Sequence, residues 1–156
     1  MIQAELSLTE LYVDDETAWL DAMAGLIHRE AYSELDYASL REYLSDMARR
    51  DRREVESRLV VLLTHILKWT FQPDRRSGSW RSSIIEQRQE LARLASRGTL
   101  RNHADSALKD VYPEAVERAA SETGRSTDSF PAECEYSIDE LFAFDPNPSD
   151  IEEIDR

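Results

Sequence analysis

A chain of 156 residues carrying a net charge of −13 is long enough for a single domain with its own core, with no need of disulfides or a structural metal. Its four glycines and five prolines leave little room for the tight turns of a many-stranded protein, and its excess of acid opposes non-specific binding of the whole molecule to nucleic acid. The single Cys134 has no partner for an internal disulfide, the opening MIQAELSLTE does not read as a secretory leader, and the longest apolar run, residues 59–63, is far too short to span a bilayer. A cytoplasmic protein without a membrane anchor is expected.

The elements follow in chain order. Ser7-Leu-Thr-Glu10 is a capping-box pattern for a short first turn. A helix is predicted after the acidic Asp14-Asp15-Glu16, with the stripe Tyr12, Trp19, Leu20, Met23, Leu26 and Ile27. Asp36 then suits the N-cap of a long second pattern, whose stripe is Leu40, Leu44, Met47, Val55, Leu59, Leu62, Ile66 and Trp69. No glycine or proline interrupts residues 37–71, so one continuous helix is favoured over two, although it would be about 52 Å long. Gln72-Pro73 ends it, because proline disfavours helical geometry in the residue before it.

After the turn Asp74-Arg-Arg-Ser-Gly-Ser-Trp-Arg81, Ser77 or Ser79 caps a third helix with the stripe Trp80, Ile84, Gln87, Leu91 and Leu94. Gly98 is read as its C-terminal stop and Thr99 as the cap of a fourth helix through Leu100, Ala104, Leu108 and Val111. Pro113 is expected to kink that helix or to start a fifth, ending at Gly124. Ser137-Ile-Asp-Glu140 is a second capping box and opens a short terminal helix. The fold class is all-α, an up-and-down helical bundle with one long central helix and short C-terminal helices. Residues 1–144 form one domain, and residues 145–156 are an acidic tail that frays.

Charge is unevenly spread. Residues 1–48 hold eleven acids and two bases, whereas residues 49–109 hold fourteen bases and seven acids. Residues 130–156 return to nine acids against one base. A basic middle between acidic ends is either neutralised within the molecule or left open to an anionic partner.

Residues 57–94, SRLVVLLTHILKWTFQPDRRSGSWRSSIIEQRQELARL, resemble the bacterial domain of unknown function 29 family. The resemblance is carried by His65, Lys68 and Trp69 at the end of the long helix, Arg76, Ser79, Trp80 and Arg81 in the turn, and Ile84 with Arg88 beyond. Trp19 with Leu35-Asp36 upstream, and Phe130-Pro131, Cys134 and Tyr136 downstream, agree with it. The chain departs from the family pattern where Glu42 is followed by Tyr43 and Cys134 by Glu135. The resemblance implies a compact helical protein, chiefly from cyanobacteria and other bacteria, and brings no activity or catalytic residue.

The candidate site is the anion or polar cluster Arg75, Arg76, Ser79, Arg81, Arg88, His65 and Lys68. A helix start offers unpaired N–H groups to an anion, and arginine adds bidentate contacts. The turn lacks the Gly-Lys-Ser/Thr of a phosphate loop, so the favoured reading is a capped turn whose arginines pair with Asp74, Glu86 or the acidic flanks, with an anion site as the minority view. Three cations at a helix start are unexplained by a turn alone, since the dipole there disfavours them. The chain's own acidic C-terminal end is one possible occupant.

His65 is either a core histidine held by hydrogen bonds or a base facing Glu42 or another carboxylate. The tryptophans read as core anchors, and Cys134 as a small packing residue. No catalytic triad, paired-carboxylate motif or metal-ligand spacing stands out, and no cofactor or metal is expected. The leading expectation is a small non-enzymatic helical binding or adaptor module engaging a protein partner, with self-association possible. The alternatives are a small-ligand or anion-binding protein or enzyme with a polar pocket around His65, Lys68, Arg81 and Arg88, and nucleic-acid binding through residues 49–109.

Overall fold

The computed structural model describes residues 5–149. The fold is all-α, and among the described residues there is no strand. Its helices are α1 (Leu8–Asp14), α2 (Glu16–His28), α3 (Tyr37–Phe71), α4 (Gly78–Ala95), α5 (Gly98–Thr123) and α6 (Ile138–Ala143). Short 3-10 turns stand at Tyr32–Glu34, Pro73–Arg75 and Thr127–Ser129. The sequence 37–71 is one continuous helix of 35 residues. The chain divides into two compact units at Arg49–Arg50, and each has its own core.

The N-terminal unit is built around Trp19. Ser7 caps α1 with a reciprocal capping box, its amide donating to the Glu10 carboxylate at 2.8 Å. Asp15 caps α2 by accepting from the Ala18 amide at 3.1 Å. Trp19 is fully buried with Met23 and Leu26, and Tyr12 and Tyr43 close around its ring, with centroids 4.7 and 5.7 Å away. Its indole N–H donates to Asp36 at 3.4 Å, while the other oxygen of Asp36 accepts from the Ser39 amide at 3.2 Å. One carboxylate therefore caps α3 and anchors the core tryptophan. Hydrogen bonds from Ser39 and then from Trp19 hold its carboxyl below the usual carboxylate range, against the opposing effect of burial.

Two stripe positions differ from the expectation. Leu40 and Tyr43 pack against Trp19, whereas Leu44 stays exposed, as do Ile27 and Tyr37. The packed side lies between Leu40 and Tyr43, which are about 60° apart round the helix; Leu44 falls about 40° to the other side of Leu40, away from Tyr43 and Trp19.

In the C-terminal unit the fully buried Leu59, Leu62, Leu63 and Ile66 of α3 meet Ile84 and Leu91 of α4, the alanine-rich face of α5, and Ile138 and Leu141 of α6. Ser77 is the cap of α4, its Oγ accepting from the Trp80 amide at 3.2 Å, and Ser137 caps α6 in the same way. Three boundary expectations are corrected. Gly98 is not the stop of α4, which ends at Ala95 with Ser96 as its C-cap; it is the first residue of α5, with φ of 72°. Arg97, not Thr99, is the N-cap, and it makes no side-chain capping bond. Of the two alternatives for Pro113, the start of a fifth helix is ruled out, since α5 runs through it. Proline removes the N–H that would have met the Lys109 carbonyl, and its ring crowds that carbonyl. Both residues face solvent there, while Tyr112, Ala115 and Val116 bury the opposite side. Gly124 closes α5 in the left-handed region, as expected.

The packed chain continues to Pro146, which is buried. The rest of the expected tail, residues 150–156, lies outside the described residues. Among the described residues no helix is long and apolar enough to cross a membrane.

Gly124 and Gly78 make a matched pair, since a Cβ at either would meet nothing within 4 Å. Gly124 has φ of 68°, so Gly124→Ala should cost about 1 kcal/mol of backbone strain. Gly78→Ala, at the first position of α4, should be neutral or stabilising by a few tenths of about 1 kcal/mol. Chemical denaturation of both variants checks this; equal effects would mean that backbone conformation is not what Gly124 supplies.

Candidate functional site

The turn between α3 and α4 accounts for its cations one by one. Arg76 reaches back rather than forward: its Nε donates to the Trp69 carbonyl at 2.8 Å, and its guanidinium lies 5.2 Å over the Trp69 ring. That carbonyl belongs to the last turn of α3, where main-chain acceptors lack helical partners and a cation is favoured by the dipole. The arginine that looks misplaced at the start of α4 is in place at the end of α3.

Lys68 is buried on the same last turn. Its ammonium sits 2.5 Å from the Glu122 carboxylate and 4.6 Å over the Trp80 ring. Arg75 is exposed and, with Gln72, Trp80, Glu122 and Thr123, lines a small polar depression of about 290 Å³. Lys68, Arg75 and Trp80 thus gather about Glu122. Ser79 is exposed on the first turn of α4 and plays no part in the cap.

Arg81 and Arg88 face a different neighbour. Arg81 Nε donates to the Pro146 carbonyl at 3.0 Å, and Arg88 Nη1 donates to the Phe144 carbonyl. Among the described residues no carboxylate lies within ion-pair distance of either. The C-terminal segment does dock on these arginines, but through its main chain. His65 joins neither group. Its Nδ1 donates to the Val61 carbonyl of its own helix at 2.8 Å, so it is held locally and not by a carboxylate. Of the seven candidate residues, Lys68 and Arg75 gather about Glu122 and Arg81 and Arg88 hold the C-terminal carbonyls, while Arg76, Ser79 and His65 join neither group.

Much of the remaining basic segment is used internally. Arg58 pairs with Glu54 at 3.0 Å and bonds Gln87 at 3.2 Å, while Arg101 bridges Asp105 and Asp139. His103, which sequence reasoning left without a role, meets Glu56 at 3.1 Å. Nothing in the spacing of those residues, 47 apart, announces the pair.

A larger groove was also missed. About 460 Å³ in volume, it runs between α5 and residues 132–136, walled by Leu108, Lys109, Tyr112, Pro113, Cys134 and Tyr136. Tyr112 donates its hydroxyl to the Pro131 carbonyl at 2.7 Å, and burial pushes its phenol up to about 12. Burial likewise raises the Cys134 thiol, which keeps it protonated and a poor nucleophile. The sequence singled out Pro113 of this lining, but as a helix boundary and not as the wall of a groove. Among the described residues no group of His, Cys, Asp or Glu is arranged to hold a metal ion.

Residues 11–145 match the family described as Domain of unknown function DUF29. The chain belongs to that family. No curated protein and no solved structure matches it.

Two predictions follow from the cluster geometry. Trp80→Ala should cost about 2–3 kcal/mol, less than a fully buried tryptophan because Trp80 is only partly covered. Arg81→Ala should cost about 1 kcal/mol for one charge-assisted bond, and Lys68→Met about 1 or less, since half-exposed Glu122 regains its water. Urea unfolding ranks them, and an Arg81 loss equal to that of Trp80 would make the arginine a core residue.

Tyr112 gives a pH dependence. Its folded phenol titrates at about 12 and an unfolded one near ~10, so the folded state binds this proton more tightly. Stability from this group is complete below pH ~10 and is lost as pH rises towards ~12. Tyr112→Phe should flatten that decline, at a cost near neutrality of about 1 kcal/mol for the lost hydrogen bond. Unfolding measured from pH ~9 to ~11.5 checks the slope.

Proposed function

We propose that this member of the family is a non-enzymatic helical binding module, whose N-terminal unit receives a basic amphipathic helix of a partner protein. One observation carries the reading. Among the described residues every exposed large hydrophobic, namely Leu6, Val13, Ile27, Tyr32, Tyr37 and Leu44, lies in that unit. Among the described residues of the C-terminal unit, no large hydrophobic is exposed to that degree.

Exposed apolar side chains scattered singly need no explanation. Here, however, Tyr37 and Leu44 are seven residues apart and share a face of α3, and Tyr37 donates its hydroxyl to the Tyr32 carbonyl at 2.6 Å, which brings those two rings' residues together. Residues 1–48 surround them with eleven acids against two bases. An apolar strip in an acidic field suits a helix with one apolar and one cationic face. The competing nucleic-acid reading loses support because Arg58, Lys68, Arg76, Arg81, Arg88 and Arg101 are all committed inside the C-terminal unit. We place the module in the bacterial cytoplasm, where an unpaired cysteine stays reduced.

The test uses a synthetic 18-residue amphipathic helix of leucine and lysine and an acidic counterpart, titrated calorimetrically into the full chain. The basic peptide should bind and the acidic one should not. Combining Tyr37→Ala with Leu44→Ser should weaken binding by about tenfold, or about 1.4 kcal/mol, with the thermal midpoint nearly unchanged. Unchanged affinity in the double variant overturns the reading. So does a sedimentation profile in which the wild-type chain is a dimer that the same substitutions dissociate, since the face would then belong to a second copy.

A further inference from the structure

The contact between α4 and the C-terminal segment has the form of peptide recognition. Arg81 and Arg88 lie seven residues apart, hence on one face of α4 about 10.5 Å apart along its axis. They hold the carbonyls of Phe144 and Pro146, residues i and i+2 of a chain that turns extended at Phe144, with φ −62° and ψ 121°. Carbonyls at i and i+2 of an extended chain point the same way and are about 6.7 Å apart, a span that two leaning arginine side chains bridge. Asp145, between them, is exposed, and no ion pair joins it to either arginine.

Main-chain readout of this kind places no demand on side chains, so specificity has to come from the two residues that are covered. Pro146 is among the fully buried side chains, and the Phe144 ring stands edge-on to Tyr136 with centroids 6.1 Å apart. The recognised pattern is therefore an aromatic residue, any residue, then proline. The rest of the segment is held by one short helix and by the Arg101–Asp139 pair. The preceding helix α6 has six residues, of which Ile138 and Leu141 are buried. Short elements with few buried contacts open at lower free energy than the core around them.

We propose that this face of α4 is a groove for extended aromatic-x-proline peptides, filled in cis by residues 144–146, which a partner segment of the same pattern enters by displacing them. The proposal rests on the C-terminal unit alone and stands or falls separately from the reading of the N-terminal unit. A tethered segment competes at millimolar effective concentration. Loosening it while leaving the arginines intact should therefore expose the groove.

The experiment compares the full chain with its Pro146→Ala variant, titrated with a synthetic peptide of residues 140–149. Binding to Pro146→Ala should be at least about tenfold tighter than to the wild-type chain. It should be lost on adding Arg81→Gln and Arg88→Gln, or when the peptide's own proline is replaced by alanine. Equal affinity for both chains, or binding that survives the loss of both arginines, overturns the proposal. A measurement on the wild-type chain stands independent of any variant's folding. In hydrogen exchange, amides of residues 138–146 should open at least about tenfold more readily than those of residues 112–120. Exchange of both segments only through one global unfolding overturns it as well.

Discussion

The C-terminal unit depends on the satisfaction of one buried ammonium. Lys68 lies in an otherwise apolar stretch of α3, and removing such a charge from water costs several kcal/mol by rough reckoning unless partners replace the hydration. Glu122 supplies the counter-charge and Trp80 the face of an aromatic ring. These come from the end of α5 and the start of α4, so holding one cation fixes three helix ends against one another. The arrangement is asymmetric in a useful way. Lys68 is 8% exposed at its side chain but Glu122 is 47% exposed, so only one of the two charges bears a large desolvation cost. The pair therefore anchors geometry at less expense than a fully buried bridge.

The basic character of the turn follows from the same place. A helix that ends beside a buried lysine has carbonyls to satisfy, and Arg76 does so while stacking on the neighbouring Trp69. Arg81 and Arg88 extend the pattern along α4 to the carbonyls of residues 144–146. Arginine suits these tasks because its planar fork donates to a neutral carbonyl and keeps its charge when partly covered. Much of the basic middle of the chain is thus engaged by two means, ion pairs and main-chain acceptors. An inventory of acids and bases detects only the first.

Local chemistry was legible in the sequence where it depended on few residues. The caps at Ser7, Asp36, Ser77 and Ser137 and the left-handed close at Gly124 each rest on a side chain or glycine acting within a turn. The long helix was legible because nothing in residues 37–71 breaks its phase. What failed was decided by tertiary context. Leu44 fits the periodic stripe as well as Leu40 does, and only the position of Trp19 separates them. Pro113 carries a local signal to stop, which the buried face of α5 overrides. Gly98 is read as an ending or a beginning equally well, because a left-handed residue suits the short break on either side. For the candidate residues, the structure's contacts span 54, 56 and 65 residues, and separations of that kind have no trace in spacing.

With the cations largely engaged, the acids of the N-terminal unit become the chain's unspent charge. Of its acidic residues Glu10, Asp15 and Asp36 serve caps and Asp46 pairs with Arg49. A cluster of like charges raises the free energy of a compact state and is relieved by a cationic partner. Charge alone would attract any polycation, with affinity that salt removes. Apolar side chains among the acids change that, because burying them adds a contribution that salt does not screen and that only a matching apolar face collects. The two units thus solve opposite problems. One closes a core around an internal charge, and the other leaves both charge and hydrocarbon at its surface, the combination from which selective protein recognition is built.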